Sequence, residues 1–91
     1  MERTSGRYLP PQTPQTRTTR LEVAAFLIVR GFPIARVDFE GSTAIFVFDD
    51  YERRADSVIR EFYNGAQVIA SEYAAAQKRT RDLMWEAKRA S

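Results

Sequence analysis

The stretch from Leu21 to Val29 constrains this chain more than any other, because a helix made from it would have no polar side. Leu21, Val23, Ala24, Ala25, Phe26, Leu27, Ile28 and Val29 are interrupted by Glu22 alone. A helix resting on a protein surface carries an apolar stripe against the core and polar residues facing water. This one needs cover on several sides. Its limits are also written: Thr19 and Glu22 have capping-box spacing, and Gly31 before Phe32 and Pro33 is a stop signal.

The rest of the chain must supply the cover. Ninety-one residues make one domain, and the N-terminal part reads as unable to join it. Met1 to Thr16 is rich in Pro, Thr, Gln and Arg, and Pro10, Pro11 and Pro14 favour extended backbone. Residues 1–17 are therefore expected to be a disordered basic arm, and 18–91 a single small domain. Pro11 and Pro14 have the spacing that aromatic grooves recognise, although an unstructured tail explains them as simply.

Two strand patterns follow the first helix. Ala35, Val37 and Phe39 alternate with Arg36 and Asp38, a half-buried strand, and a tight turn at Glu40-Gly41 leads into Ala44-Ile45-Phe46-Val47-Phe48, apolar on both faces. A lone hairpin leaves such a strand uncovered. Either the helices wrap it, or it pairs with its copy in a second chain, which makes Ile45 and Val47 possible dimer contacts.

Asp49 and Asp50 are expected to open a second helix with Tyr51, Ala55, Val58, Ile59, Phe62 and Tyr63 on one face, closed by Asn64-Gly65. The carboxylates Asp49, Asp50, Glu52 and Asp56 invite a metal or acid/base reading, but a helix start accounts for them as caps that complement the positive helix end. No metal site is expected.

A third helix is expected over 66–89. Ile69, Tyr73, Ala76, Thr80, Leu83 and Ala87 recur at steps of four and three, the spacing of a packing seam, with Met84 beside it. At about 100° per residue, Lys78, Arg81, Trp85, Lys88 and Arg89 gather on the opposite side. The plain reading is a solvated face with a routine Lys78–Asp82 pair. Trp85 argues for more, since a chain seldom leaves so large an apolar surface in water, and Arg81 and Arg89 lie a turn either side of it. The seam, through Ile69, Tyr73 and Leu83, is the alternative dimer contact.

Composition excludes several function classes. With no Cys and no His, disulfides, Cys/His zinc sites, thiol nucleophiles and histidine bases are all ruled out. The four glycines are isolated, so no phosphate-binding glycine loop exists. No cofactor and no small-molecule substrate is expected. The longest apolar run is too short to span a bilayer and nothing resembles a leader, which points to a cytoplasmic protein without membrane attachment. The formal net charge of +2 hides a segregation. Residues 1–20 hold four arginines against one glutamate, residues 77–91 hold five cations against two acids, and the middle holds five cations against nine acids. Basic ends on an acidic body suit contact with a polyanion, and equally suit self-association.

The run Thr19, Ala24, Ala25, Phe26, Leu27, then Arg30-Gly31-Phe32, Phe46-Val47-Phe48 and Phe62-Tyr63-Asn64-Gly65, resembles a small family of bacteria and phages, domain of unknown function 5659. The resemblance spans roughly residues 17–88 and rests on core and cap positions. It implies the order helix, β-hairpin, two helices, and a phage or mobile-element setting; the long C-terminal helix reads as this chain's own elaboration. The expected fold is thus α+β: helix, β-hairpin, helix and long C-terminal helix, with a disordered N-terminal arm. The expected function is a non-enzymatic binding module holding nucleic acid or a nucleoprotein complex through Lys78, Arg81, Trp85, Lys88 and Arg89. The alternative is a homodimeric protein–protein adaptor or inhibitor, for example one that blocks a host defence complex.

Overall fold

A computed structural model describes residues 14–90. The elements run β1 (Gln15–Thr18), α1 (Leu21–Val29), β2 (Ile34–Glu40), β3 (Thr43–Asp49), α2 (Ala55–Tyr63) and α3 (Ala70–Ala90). The three strands form one antiparallel sheet in the order β1-β3-β2. Phe46 and Phe48 of β3 join Val23, Phe26 and Leu27 of α1, Phe32, and Val58 of α2 in one apolar cluster, with Tyr73 and Met84 of α3 packed against it. The domain is therefore α+β, two layers deep, with all three helices against the sheet face that bears Phe46 and Phe48.

The doubly apolar β3 is central, and the strand that covers its second edge comes from the end of the expected arm. Gln15–Thr18 pairs with Phe46–Asp49, its Thr16 and Thr18 half-buried while Gln15 and Arg17 are exposed. Two threonines are a weak apolar signal, which is why the sequence conceals this strand, yet β-branched residues fit a half-covered edge well. The remainder of the arm, residues 1–13, lies outside the described residues.

β2 and β3 meet at a two-residue turn, Gly41-Ser42, closed by the Glu40–Thr43 pair. Gly41 sits at φ 64, the left-handed first position that a twisted hairpin requires and that glycine occupies without cost. A bulge between Ile34 and Arg36 turns Ala35 out to solvent, so Ile34, Val37 and Phe39, rather than Ala35, form the half-buried set.

The helix limits differ from expectation in instructive ways. α1 begins at Leu21 with Arg20 as its cap residue and no side-chain capping bond, so the Thr19–Glu22 box does not form. Thr18 Oγ1 accepts from the Arg20 amide at 3.1 Å instead. The stop is as expected: Phe32 N–H donates to Leu27 O, and Gly31 N–H to Ile28 O, the paired bonds of a Schellman ending at a left-handed glycine. α2 ends identically at Gly65, with Ala66 N–H to Glu61 O and Gly65 N–H to Phe62 O. It starts later than Asp49-Asp50 suggests. Asp50 holds a turn that includes Arg53 at φ 55, and its carboxylate accepts from the amides of Arg54 (2.8 Å) and Ala55 (3.2 Å). Tyr51 consequently lies in that turn, exposed, and Tyr63 is also largely exposed, so neither belongs to the buried face of α2.

Candidate nucleic-acid interface

α3 has the composition of a helix that sustains itself: alanine, glutamate, glutamine, lysine and arginine dominate its 21 residues, all strong helix formers. It starts at Ala70, four residues later than expected, and Ile69 stands before it with 61% of its surface exposed, outside the seam to which its spacing assigned it. From Tyr73 onward the seam is real, and it faces this chain's own core. Ala76 and Thr80 are buried, Tyr73 and Met84 pack on the apolar cluster, and Leu83 and Ala87 are half-buried. The Tyr73 hydroxyl donates to the backbone carbonyl of Glu22 at 3.0 Å, a direct tie from α3 to the first turn of α1. Burial, with the Glu22 carboxylate second, raises the Tyr73 pKa above its ordinary value. Thr80 is satisfied locally, its hydroxyl donating to Gln77 O at 2.7 Å. Tyr73, named as a possible dimer contact, is thus engaged within the monomer, whereas Leu83, named with it, is half-buried and lines a groove beside β2. Ile45 and Val47 lie in the central strand, whose two edges are both paired, and Val47 is fully buried.

The opposite side of α3 carries all five expected contact residues, each exposed: Lys78, Arg81, Trp85, Lys88 and Arg89. They are not equivalent. Lys78 Nζ meets Asp82 Oδ2 at 2.9 Å, so this cation is held by the ordinary helical ion pair. Lys88 Nζ stands 5.2 Å from the centre of the Trp85 ring, a cation–π arrangement that brings positive charge to the indole. Arg81 and Arg89 make no ion pair among the described residues. Trp85 is 50% exposed, so much of its surface is in water. From Lys78 to Arg89 the helix rises roughly 16 Å at 1.5 Å per residue, a span that reaches several consecutive phosphates of an extended strand.

The carboxylates that suggested a metal have structural work. Asp50 caps α2, while Asp49 accepts from Gln15 Nε2 at 3.2 Å and from the Tyr51 hydroxyl at 3.4 Å. The feature least legible in sequence is a charge cluster on the sheet, where Asp38 receives Arg36 Nε at 3.1 Å and Arg17 Nη2 at 3.6 Å. Arg17 and Arg36 stand in register on either side of Val47, which the alternation with Phe46 and Phe48 turns to the face away from the helices. Only the hidden strand β1 brings Arg17 there.

These elements define a small two-layer α+β domain whose last helix buries one face and presents a cationic, aromatic other. The family model described as "Domain of unknown function (DUF5659)" matches residues 15–86, from the first residue of β1 through most of α3, and the chain belongs to that family. The match includes Trp85, so α3 is part of the family domain and not an elaboration on it. No curated protein and no solved structure matches the chain.

Proposed function

We propose that the protein is a non-enzymatic module that binds single-stranded nucleic acid, alone or displayed on a nucleoprotein complex, through the outer face of α3. One observation carries the reading: a half-exposed tryptophan sits among Arg81, Lys88 and Arg89 on a helix whose other face is already used by the core. Cations that pair phosphates and an aromatic ring that stacks a base are the usual means of sequence-tolerant strand binding. Arg81 and Arg89 pair phosphates, Lys88 contributes beside the ring it covers, and Lys78 assists once released from Asp82. Among the described residues no element is built to read base edges, so the proposed contact is with backbone and stacked bases in general. A cytoplasmic, phage or mobile-element setting belongs to this reading; no described helix is long and apolar enough to cross a membrane.

Trp85 is the single tryptophan, so its fluorescence reports the site directly. Titration with short oligonucleotides should quench it, and the logarithm of affinity should fall with the logarithm of salt at a slope of about −2 to −3, at roughly −0.7 per phosphate contact. No quenching by DNA or RNA strands at low salt overturns the proposal.

A further inference from the structure

We propose that β2 pairs with β2 of a second copy of this chain, joining two sheets into one continuous six-stranded sheet about a two-fold axis at Val37. β2 is an edge strand, with β3 on one side and no strand on the other among the described residues. Its first half borders a groove of about 450 Å³ whose far wall is α3, through Leu83 and Ala87. Exposed edges of this kind are normally blunted or paired.

The ladder itself says which partner fits. In an antiparallel pair, alternate residues turn their amide and carbonyl toward the neighbour or away from it. Counted from the Glu40–Thr43 pair that closes the hairpin, Val37 and Phe39 are the ones that face away from β3. Val37 opposite the partner's Val37 therefore exchanges two backbone bonds at the axis. The same register sets Arg36 opposite the partner's Asp38, and Asp38 opposite the partner's Arg36, on the sheet face away from the helices. The bulge at Ala35 ends the regular ladder there, so the pairs that decide the register are those from Arg36 to Asp38.

Competing registers fail on charge or on face. A shift that keeps the helix-side residues on the helix side sets Arg36 against Arg36, or Asp38 against Asp38, and like charges directly opposite are destabilising. A shift to the intermediate registers sets Arg36 against Val37 or Val37 against Asp38 and turns one copy's apolar side to water. The sequence Arg36-Val37-Asp38 is thus self-complementary in one antiparallel register, which is what an isologous interface requires. The axis runs through the sheet plane, so both helical layers, and both α3 faces, lie on the same side of the dimer.

The charge pattern supplies the test. Arg36→Asp and Asp38→Arg each set like charges across the axis and should both be monomeric, whereas an equimolar mixture of the two restores opposite charges in both pairs and should dimerise. Light scattering over micromolar to millimolar protein should show the wild-type mass doubling from 10.5 kDa, with circular dichroism confirming that each variant is folded. In the wild type, which needs no substitution, exchange of the Val37 amide should slow as concentration rises. A wild-type mass that stays monomeric at millimolar concentration overturns the proposal, as does a dimer indifferent to both substitutions or a mixture of folded variants that remains monomeric. Dimerisation is read without nucleic acid, so this outcome and that of the Trp85 titration are independent.

Discussion

α1 and α3 pack against each other over the same sheet and are held by opposite means. α1 has nine residues, five of them fully buried, and a composition that could not stay in solution uncovered. α3 has 21 residues, of which Ala76 and Thr80 are fully buried, and it relies on helix propensity, a narrow seam and one hydroxyl tie to α1. In α1 nearly every side chain is fixed by the core. In α3 the outer face is exposed rather than packed on the core, and the residues found there are accordingly informative about contact.

Substitutions should separate the two helices sharply. Phe26 is 1% exposed and its ring lies 5.2 Å, centre to centre, from that of Phe62. Phe26→Ala should cost about 3–5 kcal/mol, transfer and cavity together, which is a large share of the stability of a small domain. Urea unfolding measures it, and a loss below about 1 kcal/mol would mean that α1 is not the centre of the core.

Trp85→Ala is the counterpart on α3. Its effect on unfolding should stay within about 0.5 kcal/mol, as for surface substitutions generally. Its effect on affinity for a labelled single strand, read by anisotropy, should be about 1–3 kcal/mol, the usual worth of one base–aromatic stack. If the variant instead loses stability on the scale of Phe26→Ala, the indole belongs to the core and the contrast between the helices disappears.

The contrast between the two helices was legible from apolar periodicity alone. So were the order of the elements from α1 onward, the two glycine stops and the placement of Lys78, Arg81, Trp85, Lys88 and Arg89 on one exposed side of α3, because each depends on local pattern or on the 3.6-residue period. What depends on long-range pairing was not. Gln15–Thr18 has too little apolar character to be recognised as a strand until β3 is seen to need a second neighbour. The Arg17–Asp38–Arg36 cluster follows from that pairing and was hidden with it. The helix starts are less legible too: Asp50 accepts from amides a full turn further on, and Thr18 accepts from the amide of the cap residue Arg20 two positions on, geometries that linear spacing does not distinguish from capping at the adjacent position.

Tyr73 tests the tie between the two helices. Tyr73→Phe keeps the ring and removes the bond to the Glu22 carbonyl, and should destabilise by about 1 kcal/mol. The wild-type dependence on pH has a definite sign. The folded-state pKa is raised, so the neutral phenol is favoured in the native state; that contribution is present below the unfolded-state pKa of about 10 and is lost as pH rises through the folded value. Wild-type stability should therefore fall toward that of Tyr73→Phe in alkaline solution, and a separation between the two that stays constant above pH about 10 would show that folding does not raise the Tyr73 pKa.

The smallest change asks whether the outer face of α3 serves the fold at all. Asp82 holds Lys78 in an exposed pair four residues apart, an arrangement worth about 0.3–0.5 kcal/mol to a helix. Asp82→Asn should lower stability by no more than that. It should also strengthen strand binding, because it removes a negative charge from the contact face and releases Lys78 to meet a phosphate, and it should steepen the salt dependence by about 0.7. Stability and affinity then move in opposite directions from one substitution. A face that existed for helix stability would show both falling together, whereas a face kept for a polyanion tolerates the small loss in the fold and gains in the complex.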